Sequence, residues 1–265
     1  MGKRSQPIHD RFGIIPMPAH YDDPDYSYQN YWPGREYEHQ SEILAINRLL
    51  SNTKVTAAVD IGGGFGRLTP TLSHHAKQIT LLEPSAKLRS QATKNLKTIS
   101  ALTIVAGTAE KTRLPTSSQN LVILIRVLHH LPNPTPALNE IHRILKPQGL
   151  LLLEIANSHN FKARIASWLS GQPILPIPIE KRSPANIKRQ TIPFVNHSPF
   201  TIQKILHKTG FEIIKQLSVS NLRSPFFKKY IPIKSLITAE SYLQPLLSKI
   251  YFGPSIFLLA KKVNP

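Results

Sequence analysis

One nine-residue stretch limits what this chain can fold into. Val59-Asp60-Ile61-Gly62-Gly63-Gly64-Phe65-Gly66-Arg67 closes a short apolar run over residues 55–59 and opens a segment, 67–76, that reads as a helix. Four glycines in five positions allow a tight turn and a close approach of backbone to ligand. The helix start behind them leaves N–H groups free to face that ligand. Strand, glycine loop and helix in this order form the context that a nucleotide-type binding loop requires.

The neighbouring sequence extends the pattern. Apolar runs at 78–82, 102–105, 121–125 and 150–155 alternate with segments of helical spacing, among them 135–145 with Leu138, Ile141, Ile144 and Leu145 on one face. A helix over 36–51, with Ile43, Leu44, Ile46, Leu49 and Leu50 in one stripe, precedes them. Such alternation signals βαβ units and a parallel sheet covered on both faces. Further on, 199–210 reads as a helix closed by Gly210, and Phe211–Val219 and Ser255–Lys262 read as strands. That organisation divides the chain into an arm over 1–35 and a single domain over 36–265. The domain holds a cofactor core at 55–156 and insertions at 157–198 and 220–252.

The spacing of acids refines the ligand. A dinucleotide loop reads G-x-G-x-x-G and cradles a pyrophosphate. Here Asp60 stands just before glycines 62, 64 and 66. An acid is poorly placed beside a pyrophosphate and well placed near an ammonium group. Glu83 ends the second apolar run, where an acid can accept hydrogen bonds from both ribose hydroxyls. An amino group and a ribose without phosphates describe S-adenosyl-L-methionine.

With these residues in place, the chain resembles the class I S-adenosylmethionine-dependent methyltransferases, in the group around the type 11 methyltransferase domain, from about Val55 to Glu154. The loop at 60–67 looks like the family's first motif, and Leu82-Glu83-Pro84-Ser85 like its second-strand acid. Gly107-Thr108-Ala109-Glu110-Lys111 resembles its adenine segment. Arg126-Val127-Leu128-His129-His130-Leu131 resembles the segment after strand four, and residues 143–149 its turn into strand five. Two positions depart from the pattern: Thr108 and Asn120 stand where the family usually carries acids. The resemblance implies an α/β fold, a Rossmann-like, doubly wound, mostly parallel seven-stranded sheet with helices on both faces. It implies cofactor contacts from Asp60, Gly62, Gly63, Gly64, Gly66, Glu83, Pro84, Thr108, Ala109, Glu110, Arg126 and Val127.

Direct methyl transfer needs positioning and a dry site more than a reactive side chain, and positioning alone contributes about 7–11 kcal/mol. A general base matters only when the acceptor must lose a proton. His130 and His129 are the candidates, because they follow strand four at the sheet edge where ligands of open parallel sheets bind. Packing beside the cofactor would explain them equally well. The cluster Tyr21, Tyr26, Tyr28, Tyr31 and Trp32 makes the arm a candidate lid, and the two insertions are candidate caps over an acceptor pocket. No metal site is expected, because the histidines lack ligand spacing joined to carboxylates.

Composition bounds the partners. The chain has 265 residues and no cysteine, which excludes disulfides, thiolate catalysis and cysteine-bound zinc. Residues 157–265 hold 16 Lys/Arg against 3 Asp/Glu, out of a net charge of +18. Such a field attracts nucleic acid, anionic membrane surfaces or acidic substrates. A small-molecule or lipid-precursor acceptor is the leading expectation. The alternatives are RNA or protein methylation through the basic half, or a protein of the methyltransferase fold at a membrane surface, for which 223–252 mixes apolar and basic positions. No Asn-Pro-Pro-Tyr type motif follows the fourth run, which speaks against methylation of base amino groups. Without a 20-residue apolar run or a signal-like start at residues 1–5, the expected location is cytoplasmic, or peripheral at the membrane.

Overall fold

The computed structural model describes residues 17–23, 25–189 and 191–263; the expectations for residues 1–5 and for the first part of the arm lie outside the described residues. Helices α1 (Met17–Asp22) and α2 (Glu36–Leu49) precede strand β1 (Val55–Ile61). Then come α3 (Thr69–Leu72), β2 (Ala76–Leu82), α4 (Ala86–Asn95), β3 (Leu102–Val105), β4 (Gln119–Leu124), α5 (Thr135–Ile144) and β5 (Leu145–Ala156). The chain continues through α6 (Phe161–Ser170), β6 (Ile179–Glu180), α7 (Pro184–Lys188), β7 (Val195–Asn196) and α8 (Pro199–Lys208). It ends with β8 (Phe211–Val219), α9 (Pro225–Tyr230), α10 (Ile233–Leu246) and β9 (Ser255–Lys262).

Seven strands form one sheet in the order β3-β2-β1-β4-β5-β9-β8. Strand β9 runs antiparallel to both of its neighbours, and the other pairs are parallel. This is the α/β Rossmann-like sheet expected from the sequence. Successive strand residues point to opposite faces, and the core divides accordingly. Val122, Leu124, Leu151 and Leu153 pack with Leu138 and Ile141 of α5 and with Ile202 and Leu206 of α8. Leu121, Ile123 and Leu152 pack on the other face with Ala45, Ile46 and Leu49 of α2. Strand order reverses between β1 and β4, which opens a crevice at their C-terminal ends.

Several expectations are corrected. The helix expected over 67–76 is one turn, α3, because Ala76 already pairs with Val55 as the start of β2. Strand β5 begins at Leu145, five residues early, and turns through Gln148 at φ 62° before its regular pairing with β4. The arm contains a helix, α1, where no regular element was expected. The insertion 157–198 holds α6, the small β6–β7 pair and α7. No described residue of the insertion 220–252 lines the cavity at the crevice. Its helix α10 buries Leu236, Glu240 and Gln244, with Glu240 accepting from Tyr37 Oη (2.7 Å) and Gln244 Nε2 donating to the Ser41 carbonyl of α2 (2.9 Å). No described helix is long and apolar enough to cross a membrane.

Candidate active site

The crevice between β1 and β4 opens into a cavity of roughly 750 Å³, part of it open to solvent. The glycine loop forms its floor. Gly62 has φ 70°, and a Cβ there would lie 2.3 Å from Val127 Cγ2. A Cβ on Gly63 would meet Leu81 at 2.7 Å and the Asp60 carboxylate at 3.0 Å. The sequence therefore needs glycine here for two reasons, left-handed backbone and lack of room.

Two buried carboxylates flank the loop. Asp60 accepts from Thr69 Oγ1 at 2.8 Å, and burial pushes its carboxyl up to about 6. Glu83 accepts from the Gly64 N–H at 3.0 Å and the Ser85 N–H at 2.9 Å. Those bonds hold its two oxygens toward the loop, yet burial still raises its carboxyl to about 7. Each oxygen keeps a further lone pair for a ligand donor.

Of the expected cofactor residues, Asp60, Gly62, Gly63, Gly64, Glu83, Pro84, Thr108, Ala109, Arg126 and Val127 line this one cavity. Gly66 does not; a Cβ there would strike Leu96 at 2.4 Å, so it serves the packing of α4. Glu110 is exposed and also stands outside the wall.

The two histidines separate. His130 lines the cavity and His129 does not. His129 is buried with its ring 4.6 Å from Phe194, and burial depresses its pKa well below the usual imidazole value. His130 sits between Tyr21 Oη (2.9 Å from Nε2) and the Pro193 carbonyl (2.7 Å from Nδ1). A carbonyl only accepts, so Nδ1 carries the proton and Nε2 accepts from Tyr21. Burial holds His130 down to about 4, so this neutral tautomer persists at neutral pH. Burial likewise keeps Tyr21 a phenol, well above its usual range.

The arm forms the outer wall. Asp22 accepts from Ser85 Oγ (2.5 Å) and from the Lys87 N–H (3.0 Å) at the first turn of α4. Tyr28 lies against Gly64 and edge-on to Phe65, 5.7 Å between centroids. Trp32 stacks on the Arg67 guanidinium at 3.6 Å. Beneath it, buried Glu42 binds both Arg67 (2.5 Å) and Arg126 (2.8 Å). These arginines overcome the burial that would raise the Glu42 carboxyl and hold it below its usual range. The Glu42 bridge was missed in the sequence; its only signal was an acid on the inner face of an apolar-striped helix.

Residues 59–153 match the family model of a methyltransferase domain. Over these residues the chain is similar to the methyltransferase domain. No curated protein sequence matches it. Among solved structures, an S-adenosylmethionine-dependent methyltransferase from Thermotoga maritima aligns with a TM-score of 0.64 at 20% identity, covering 93% of this chain and 99% of that one. A chain from the complex of the Haloferax volcanii Trm112 methyltransferase activator with its methyltransferase aligns at 0.62 and 15% identity, covering 94% and 98%. The [4+2]-cyclase SpnF aligns at 0.57 and 15%, covering 85% and 82%. At these identities the likeness is one of fold. The cavity suits S-adenosylmethionine, the cofactor that the resemblance implies: two buried carboxylates with free lone pairs face a glycine floor, and the arginines of the wall are already neutralised in part by Glu42.

Proposed function

We propose that the protein transfers a methyl group from S-adenosylmethionine to a small-molecule or lipid-precursor acceptor. The observation that carries the reading is the pairing of Asp60 and Glu83 across one glycine floor, under a wall closed by the arm. When bound, S-adenosylmethionine supplies an electrophilic methyl group on a sulfonium. Glu83 would accept from the ribose hydroxyls and Asp60 would face the amino group, with Thr108 and Ala109 beside the adenine. Tyr21, Tyr28 and His130 would bound the acceptor side and exclude water.

His130 acts as a latch in this scheme and not as the base. Its Nε2 lone pair is taken by Tyr21, and a pKa near 4 makes it a poor proton acceptor at neutral pH. Deprotonation by His130 would first require the arm to leave. The aromatic side chains Tyr21, Tyr28 and Phe65 on the cavity wall support a small acceptor.

Calorimetry with S-adenosylhomocysteine tests the cofactor, and folded protein that fails to bind it would sink the reading. Transfer of labelled methyl from S-adenosylmethionine into fractionated cell extract tests the acceptor. Label in the organic-soluble or small-metabolite fraction is expected; label confined to RNA or protein would overturn the choice of acceptor.

A further inference from the structure

Helix α6 is amphipathic in the inverse sense. Its ten residues include none that is buried. Phe161, Ile165, Trp168 and Leu169 are 43%, 40%, 81% and 72% exposed. At helical spacing these four fall within an arc of about 100°. The less exposed positions are the small Ala163 and Ser167 on the opposite side. Lys162 and Arg164 are exposed and fall on the two flanks of the apolar stripe. An ordinary surface helix turns its apolar stripe inward; this one presents it to solvent.

The helix is held firmly at its root. Asn160 caps it, accepting from the Ala163 N–H at 3.1 Å, and Gly171 closes it at φ 66°. The Phe161 N–H donates to the Phe252 carbonyl at 2.9 Å, and the two rings stack at 4.7 Å. Exposed Leu175, Ile177 and Ile187 follow in the same insertion. Its cations are Lys162, Arg164, Lys181, Arg182, Lys188 and Arg189, against one acid, Glu180, which Arg182 already binds at 2.7 Å.

We propose that this face of α6 docks on an anionic lipid surface. An apolar stripe that includes an exposed indole and has cations at both edges matches the boundary between acyl chains and anionic headgroups. Nucleic acid would use the cations and leave the stripe uncovered. A second copy of the chain would bring one basic insertion against another, a like-charge contact that is costly. The same insertion returns to the active site through Pro193 and Phe194, which contact His130 and His129. Docking would thus bring the acceptor side of the cavity toward the lipid. That link to the acceptor rests on the proposed methyl transfer; the docking itself does not.

Co-sedimentation tests it, with phosphatidylcholine vesicles and with vesicles carrying about a third phosphatidylglycerol. Wild-type protein is expected to sediment with the anionic vesicles only, with a blue shift in tryptophan emission that Trp168→Phe removes. The double variant Trp168→Glu, Leu169→Glu should bind them about tenfold more weakly or worse, while its S-adenosylhomocysteine affinity and Tm stay unchanged. Wild-type protein that ignores anionic vesicles, or a double variant that binds them equally well, would overturn the proposal. So would light scattering that shows a dimer broken by the double variant, or RNA binding lost in that variant while vesicle binding persists. Because cofactor affinity is read separately, failure of docking leaves the methyltransferase reading intact, and failure of cofactor binding leaves docking intact.

Discussion

Glu83 should make cofactor affinity depend on pH in the range where most proteins are indifferent to it. In the free protein burial places its carboxyl near 7 and that of Asp60 near 6. A ribose diol donates to a carboxylate and an ammonium pairs with one, so the ligand selects the ionised forms. The apparent Kd then carries a factor for each protonated carboxyl, and together they predict an approximately 20-fold weakening from pH 8 to pH 6. Binding at pH 7 should release about 0.6 proton. S-adenosylhomocysteine titrated calorimetrically at several pH values measures the first quantity; the same titration in buffers of different ionisation enthalpy measures the second. His130 stays neutral across this range and does not contribute. Glu83→Gln should flatten the dependence to about twofold and weaken binding at pH 8 by roughly ten- to a hundredfold, the worth of a hydrogen bond to a charged group. The same shift acts on folding with the opposite preference. Between pH 4.5 and 7 the folded protein holds a proton that the unfolded chain has lost. This contribution to stability is therefore present at acid pH and fades as pH rises, by about 3 kcal/mol for Glu83. A Kd that is constant from pH 6 to 8, with no buffer-dependent heat, would refute the reasoning.

Three substitutions probe the rest of the site. Tyr21→Phe removes the proton donated to His130 Nε2; dissociation of S-adenosylhomocysteine, followed by stopped flow, should quicken by about two- to tenfold, the worth of one hydrogen bond. A hundredfold fall in kcat with KM unchanged would instead make the pair catalytic. Gly62→Ala forces a Cβ against Val127 at positive φ, and a thermal melt should show a loss of about 1–3 kcal/mol. Glu42→Gln leaves Arg67 and Arg126 without their counter-charge in a buried place; about 3–5 kcal/mol should be lost, seen as a drop in Tm of roughly 10 °C, and an unchanged Tm would show that the arginines find other partners.

How far the sequence could be read depends on how local the causes are. The glycine loop, strands β8 and β9 and the alternation around β1 to β4 are set by residues adjacent in the chain, and the apolar periodicity exposes them. The shortness of α3 is set elsewhere, by pairing of Ala76 with Val55. The wall of the site is more distant still. Tyr21 reaches His130 across 109 positions, and Pro193 reaches it across 63. Single-sequence spacing carries no trace of such contacts. The aromatic cluster of the arm was visible as composition, but which ring would meet which group was not. The placing of the insertion 220–252 was hidden for a related reason. Nothing in its spacing shows that Glu240 and Gln244 of α10 bond to Tyr37 and Ser41 of α2, across 203 positions.

The fold by itself does not decide the chemistry, since a [4+2]-cyclase shares it. What is particular to this chain is how its two halves meet. The turn after β4 carries Arg126, Val127 and His130 within five residues. Arg126 lies at φ 58°, a backbone state costly for a side chain of its size. It is held there by its N–H to Glu154 Oε2 (3.2 Å) and its guanidinium to Glu42. Val127 from this turn fills the space above Gly62, and His130 from the same turn takes the hydrogen bond of the arm. The cofactor floor therefore cannot shift without moving the residue that latches the arm. Cofactor affinity and arm closure should accordingly be coupled, and coupling is reciprocal. In a double-mutant cycle on S-adenosylhomocysteine affinity, Gly62→Ala and Tyr21→Phe should deviate from additivity by about 0.5 kcal/mol or more, beyond what independent sites show. Strict additivity would mean that the turn does not transmit strain between them.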